Sequence, residues 1–264
     1  MSAILQVSDL RKAYAGVHAL DGVSFDVDAG SITGLIGPNG SGKSTAIDCI
    51  SGFQGLDGGK VVLAGRDVTG RPAHRIARAG LMRTFQTVRV YERLSLRDNF
   101  AIANQQFDPA TWIDEFLRTR RYRDAVDASD KRGRELVGLI GLQRHYEAEA
   151  GILSYGQKKL VALASALMSK PKIVVLDEPV AGVNPSRIRE IEVALQQLNL
   201  AGETFLIVEH NVEFITNLCH RVIVLEQGRK LAEGTAAEIH ADPRVLEAYL
   251  GMTPEMAAAE MRAV

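Results

Sequence analysis

Three apolar runs, each ending at a polar group, frame the chain: Ile32 to Ile36, Ile173 to Leu176 and Phe205 to Val208. Short continuous apolar runs of this kind read as strands buried on both faces, the pattern of a parallel sheet. The first is broken once, by Gly34, and leads into Gly37-Pro38-Asn39-Gly40-Ser41-Gly42-Lys43-Ser44-Thr45, then apolar Ala46-Ile47 and Cys49-Ile50. The second ends in Asp177-Glu178-Pro179 and the third in Glu209-His210. The carboxyl ends of such strands are where open α/β sheets place their ligands.

The remaining pattern fills in around these runs. Ile4 to Leu10 and Val23 to Val27 read as short strands, the second alternating apolar and polar. Val61-Val62-Leu63 with Gly65 to Val68 reads as an edge strand with its turn, and Pro72 to Ala79 as a short helix with a solvated basic face. Gly80 to Phe85 is a further strand, ending at Gln86. From Ser95 to about Tyr146 apolar residues recur at helical spacing (Phe100, Trp112, Phe116, Leu136, Val137, Leu139-Ile140), which predicts a helical subdomain. Leu153 to Gln157 opens a helix whose stripe is Leu160, Leu163, Ala164 and Leu167. Val222 to Leu231 makes a hairpin about Gln227-Gly228, and Asp242-Pro243 starts a helix that stops near Gly251.

The chemistry gathers at the ends of the apolar runs. Strand, glycine-rich loop, helix is the context a phosphate-binding loop requires, and Gly37-x4-Gly42-Lys43-Ser44 matches it. Glycines let successive backbone N–H groups turn inward around an anion, and the helix N-terminus adds to the field. Lys43 would reach the β- and γ-phosphates of a nucleotide, Ser44 would complete the shell of a Mg²⁺ ion, and Thr45 helps from the first helical turn. Asp177 would complete that metal site from the second strand, and Glu178 can polarise an attacking water as general base. Next to such a site Gln86 can coordinate Mg²⁺ or orient the water, and His210 can contact the γ-phosphate. Two readings stay open for Tyr14, a packing residue or a platform for an adenine ring. Ser154 followed by Gln157 is equally a capping box.

Composition narrows the field. The chain has 264 residues, 46% apolar and 24% charged, with a net charge of −1, which gives no support to wholesale binding of nucleic acid. Arg118 to Arg123 holds four arginines followed by Asp124 and Asp127, and reads as a solvated helix face. The first residues carry no basic leader with an apolar core, and no run approaches the roughly 18 apolar residues needed to cross a bilayer. Cys49 and Cys219 lie far apart without metal-ligand spacing, as expected of reduced core residues in a cytoplasmic protein. A membrane, if involved, is reached through a partner.

Taken together the motifs resemble the ATP-binding cassette (ABC) proteins. Gly37 to Thr45 looks like a Walker A loop, and Ile173 to Asp177 like a Walker B strand followed by Glu178. Leu153-Ser154-Tyr155-Gly156-Gln157 is similar to the signature motif. Gln86, Ala181-Gly182-Val183-Asn184 and His210 match the Q-loop, D-loop and switch histidine, and Tyr14 falls where an adenine-stacking aromatic is placed. Tyr155 stands where glycine is commonest and Asn184 where aspartate is usual. Both departures, with Arg83-Thr84-Phe85-Gln86, Phe116 to Arg123 and Tyr249-Leu250-Gly251, resemble the ATP-binding subunits of branched-chain amino acid importers.

The resemblance implies an α/β P-loop NTPase core with an antiparallel β subdomain and a helical subdomain. The expected boundaries put the core at 1–90 and 158–251, the helical subdomain with its signature at 91–157 and a tail at 252–264. It implies ATP and Mg²⁺ as cofactors, hydrolysis, and a site completed in trans by Ser154, Gly156 and Gln157 of a second cassette, identical or a paralogue. Membrane permease subunits, and through them a solute-binding protein, are the further implied partners, with the chain peripheral on the inner face of the cell membrane. The competing readings are a soluble ABC ATPase in iron–sulfur cluster assembly and a lipopolysaccharide-export ATPase. A P-loop kinase or GTPase leaves Gln86 and the signature stretch unexplained.

Overall fold

The N-terminal strands are longer than their apolar alternation predicts: β1 (Ala3–Tyr14) and β2 (Val17–Asp28) are twelve residues each and pair antiparallel. The ladder shifts register between Val7 and Leu10, where Asp9 has φ +50°. Such a bulge interrupts the two-residue period, so the sequence pattern reads only the regular part. The computed structural model describes residues 3–84, 90–105, 114, 116–117 and 119–250.

By compactness the chain forms two units, one of 1–83, 172–179 and 203–264 and the other of 84–171 and 180–202. In the first unit β3 (Ile32–Ile36) leads to α1 (Lys43–Ile50), followed by β4 (Gly58–Leu63), β5 (Arg66–Asp67), α2 (Ala73–Ala79) and β6 (Leu81–Arg83). The second unit contains α3 (Leu96–Gln105), α4 (Arg120–Leu139) and α5 (Tyr155–Leu167). The chain then returns to the first unit for β7 (Ile173–Asp177), and to the second for α6 (Pro185–Leu200). The first unit closes with β8 (Phe205–Val208), α7 (Val212–Leu218), β9 (Arg221–Glu226), β10 (Arg229–Gly234), α8 (Ala236–Ala241) and α9 (Pro243–Leu250).

Two sheets build the first unit. One has the order β2-β1-β4-β5 with antiparallel pairs, so the strand through Val61 to Leu63, expected at an edge, pairs on both sides and β5 takes the edge. The other has the order β10-β9-β3-β8-β7-β6, parallel except for the β9–β10 hairpin. Its three apolar runs lie side by side in the centre, and every residue of β3, β7 and β8 is buried. Their carboxyl ends align, with Val208 opposite both Leu35 and Asp177. A βαβ crossover with helices on both faces explains why these strands carry no polar alternation.

Helix α1 ties the sheets together. Its Ala46, Ile47, Cys49 and Ile50 share one buried cluster with Leu5, Val7, Leu10, Leu20 and Val23 of one sheet and Leu35, Val175, Val208 and Leu225 of the other. The break at Gly34 has a packing cause: a Cβ there would lie 3.1 Å from Ile215 Cγ2 and 3.2 Å from Cys219 Sγ, so glycine lets α7 approach β3. Both cysteines are free and buried, and burial pushes the thiols up to about 11 for Cys49 and about 12 for Cys219.

In the second unit the expected stripe residues Phe100, Leu136, Val137 and Ile140 are buried, while Phe116 is exposed; Trp112 lies outside the described residues. Buried Asn99 organises the segment before α3, its Oδ1 accepting from Tyr91 N and its Nδ2 donating to Tyr91 O. Among the described residues no helix is long and apolar enough to cross a membrane.

Because Ile47 belongs to the buried face of α1 that joins both sheets in one cluster, Ile47→Ala is expected to lower the unfolding free energy by about 2–5 kcal/mol. Urea denaturation followed by circular dichroism measures it; a loss below about 1 kcal/mol would show that α1 does not bridge the sheets.

Candidate nucleotide site

The loop between β3 and α1 is shaped by glycine. Gly37, Gly40 and Gly42 have φ of +152°, +81° and +102°, all in the region L side chains rarely adopt. At Gly37 a Cβ would sit 2.2 Å from Leu225 O, and at Gly42 2.5 Å from Ala19 O. The loop is braced from outside, since Gly228 N donates to Ser41 O at 3.0 Å and Asp21 N to Gly228 O at 2.7 Å. Gly42 offers no side chain to cap α1, so the helix begins without the hydroxyl or carboxylate that normally satisfies its first N–H groups.

Lys43 folds back over this loop, its Nζ donating to Gly37 O at 2.7 Å and Pro38 O at 3.0 Å. Burial holds its pKa below the ordinary lysine value, and the nearby charge of Glu178 works in the opposite direction. A half-desolvated cation whose partners are neutral carbonyls gains most from an incoming anion. Ser41 Oγ is buried with no hydrogen-bond partner among the described residues, a second group ready for a ligand oxygen. Pro38 and Thr45 are half-buried, while Asn39, Gly40 and Ser44 are exposed.

The strand ends supply acids in contrasting settings. Asp177 closes β7 with a side chain 10% exposed, and its Oδ2 accepts from Arg83 Nη2 at 2.7 Å. Glu178, the next residue, is half-buried and held in the left-handed region at φ +50°, its N donating to Val208 O at 2.9 Å. That conformation costs a non-glycine residue on the order of 1 kcal/mol and is common where side chains must be aimed at a site. His210 Nδ1 stands 4.0 Å from Glu178 Oε1 and 3.6 Å from Glu209 Oε2. Glu209 is 1% exposed and receives the backbone N–H of His210 and of Asn211, which fixes the turn carrying His210.

These groups fit a magnesium nucleotide. Ser44 and Asp177 are hard oxygen donors, one just after the loop and the other at the end of β7, one strand removed from β3 across β8. Among the described residues no three His, Cys, Asp or Glu side chains form a metal cage. Magnesium is normally held by one or two carboxylates together with phosphate oxygens, so a site of this composition suits the metal only with its nucleotide.

The signature stretch belongs to the second unit. Ser154 caps α5 in a full capping box: its Oγ accepts from Gln157 N at 3.3 Å and Gln157 Oε1 accepts from Ser154 N at 3.0 Å. The D-loop stretch lies beside it, with a Cβ on Gly156 falling 3.4 Å from Val183 Cγ1 and one on Gly182 3.4 Å from Tyr155 Cε1. Asn184 does have a local role, accepting from Ser186 N at 3.0 Å to start α6, whose first residue is Pro185. Tyr14 ends β1, 43% exposed, with Lys12 Nζ 5.4 Å from its ring centre. Gln86 lies outside the described residues. Three residues assigned no role from the sequence enter the site's surroundings: Arg83, Asp48 and Glu209. The signal for them was weak, since an arginine near a strand end or an acid before a histidine is ordinary surface chemistry until its partner is known.

A glycine-rich loop between a buried strand and a helix, with acids on the adjoining strand ends, defines the nucleotide-binding core of the P-loop class. Residues 20–181 match the ABC transporter family, and residues 229–251 match a family described as branched-chain amino acid ATP-binding cassette transporter. The chain is 37% identical over 248 residues to the probable branched-chain amino acid transport ATP-binding protein of Archaeoglobus fulgidus, covering 94% of this chain and 95% of that one. It is 32% identical to the high-affinity branched-chain amino acid transport ATP-binding protein of Pseudomonas aeruginosa, covering 94% and 98%. The solved ADP conformation of an ATP-binding cassette of an ABC transporter superposes with a TM-score of 0.80 at 32% identity, over 96% of this chain and 100% of that one. The chain belongs to the ABC transporter family of ATP-binding proteins.

Gly37→Ala is expected to cost on the order of 1–3 kcal/mol in backbone strain and to abolish the thermal shift produced by ATP. Differential scanning fluorimetry with and without ATP reads both; a variant that keeps the full ATP shift would show that the loop tolerates a Cβ and that its glycine geometry is not what holds an anion.

Proposed function

We propose that this chain is the ATP-hydrolysing subunit that powers an importer of branched-chain amino acids. The observation that carries the reading is the pairing of a desolvated Lys43 in a glycine-shaped loop with Asp177 and Glu178 on the aligned strand end. The matched C-terminal family and the relatives' names support the solute class. They do not favour the cluster-assembly or lipopolysaccharide-export readings.

In this reading Gly37 to Thr45 wrap the phosphates, with Lys43 exchanging its two carbonyl partners for the β- and γ-phosphates. Tyr14 stacks on the adenine. Ser44, Asp177 and Gln86 would hold magnesium, which when bound with the nucleotide would offset phosphate charge. Glu178 takes the proton of the attacking water, and His210 contacts the γ-phosphate from the adjoining strand end. Ser154, Gly156 and Gln157 act on the nucleotide of a second cassette, so a monomer binds ATP and hydrolyses it poorly. ATP drives the pairing only if it binds the closed dimer more tightly than the separated chains. The dimer works on permease subunits in the membrane, which receive solute from a binding protein, and this places the chain peripherally on the inner face of the membrane.

Glu178→Gln is expected to retain ATP binding and lose a factor of roughly 10²–10⁴ in turnover, as for loss of a general base. With Mg-ATP that variant is expected to shift from monomer to dimer in light scattering at micromolar concentration. Turnover unchanged from the wild type would overturn the assignment of Glu178. Tight ATP binding without any dimer would overturn self-pairing and direct the search to a paralogous cassette.

A further inference from the structure

The arginine at the end of β6 is built into the metal side of this site. Arg83 has a side chain 10% exposed and uses both arms of its guanidinium fork. Nη2 donates to Asp177 Oδ2 at 2.7 Å; Nη1 donates to Asp48 Oδ1 at 2.5 Å and to Ser51 Oγ at 3.3 Å. The Phe53 ring covers the guanidinium, 5.5 Å from its centre. Asp48 and Ser51 belong to α1 and the residue that ends it, so one rigid planar group ties the end of β7 to the helix that starts at Lys43.

We propose that Arg83 is a positioning residue for magnesium: it fixes the Asp177 carboxylate relative to α1, with Oδ2 engaged, so that Asp177 meets the ion carried by the nucleotide in one orientation. The inference rests on the functional reading above. A carboxylate this buried needs a polar partner, and the Arg83 fork supplies one at 2.7 Å, which holds the group in place. Asp48 matters because it anchors the other arm. Without it the anchoring arm would lose its ion pair and keep the longer bond to Ser51 Oγ. The planar fork spans both acids at once, which the point charge of a lysine cannot do. Loss of a group that orients a metal's ligand typically weakens metal binding 10–100-fold.

The test compares the affinity of the full-length protein for a fluorescent ATP analogue in Mg²⁺ and in EDTA, in a Glu178→Gln background that prevents turnover. In Arg83→Met the Kd in Mg²⁺ should rise about 10-fold while the Kd in EDTA stays within about twofold, so the magnesium advantage collapses. Arg83→Lys should recover part of it, since the charge returns but not the fork. A merely structural role would move both Kd values together and lower the melting temperature. An unchanged Mg²⁺-to-EDTA ratio in a folded Arg83→Met protein overturns the proposal. If that variant does not fold, Asp48→Asn removes only the ion pair of the anchoring arm; its ratio should fall about threefold, and an unchanged ratio there overturns the proposal too. A parent chain that binds the analogue in neither buffer would overturn the functional reading and this inference with it, whereas normal parent binding isolates Arg83.

Discussion

The site depends on the burial of a short helix between two sheets. Eight residues of helix are too few to be stable in water alone, because nucleation costs more than so few hydrogen bonds return. What holds α1 is the apolar face of Ala46, Ile47, Cys49 and Ile50, enclosed by strands from both sheets. That enclosure fixes where the helix N-terminus points, and the loop before it must follow. Gly37 and Gly42 are glycines because backbone carbonyls of Leu225 and Ala19 occupy the space a side chain would need. The loop's shape is therefore a consequence of core packing around it.

Against that frame of packed strands, the charged groups are treated unequally. Asp177 is buried and paired through the Arg83 fork, a setting that holds a carboxylate in one orientation. Glu178, one residue on, is turned by a left-handed backbone toward a more open position with His210 4.0 Å away. Glu209 is the most buried of the three and spends its carboxylate on backbone N–H groups. In the proposed reading one acid would hold a metal and one would meet water, while the third shapes a turn; surroundings make that division, since all three side chains are carboxylates. Lys43 completes the balance as a cation half removed from water and facing neutral oxygens.

The signature residues have a structural role of their own, whatever they contact in a second cassette. Ser154 and Gln157 satisfy each other across the first turn of α5, so the helix start is stable by itself and its groups are held in a fixed arrangement. Tyr155 lies against Gly182, and Gly156 against Val183, which packs the signature and D-loop stretches together within one unit.

Much of this was readable in the chain. The apolar runs predicted the buried parallel strands, and the spacing of Gly37, Gly42, Lys43 and Ser44 predicted the loop, because both depend on local pattern. The lengths of β1 and β2 were not, since a bulge at Asp9 breaks the period on which the reading relies. Helix α6 was also missed, although its signals are in the chain: Asn184 then Pro185 at its start, and a stripe of Ile188, Ile191, Leu195 and Leu198 whose last three are buried.

The sequence by itself determined the phosphate loop, the acids that follow the strands and the family. These are properties of neighbouring residues, and neighbours in the chain are neighbours in space. Only the tertiary structure decided that Arg83 holds Asp177, 94 positions away, and that Gly34 makes room for α7. Such contacts are set by which elements the core brings together, and no local pattern encodes a partner on a neighbouring strand or helix so distant in the chain.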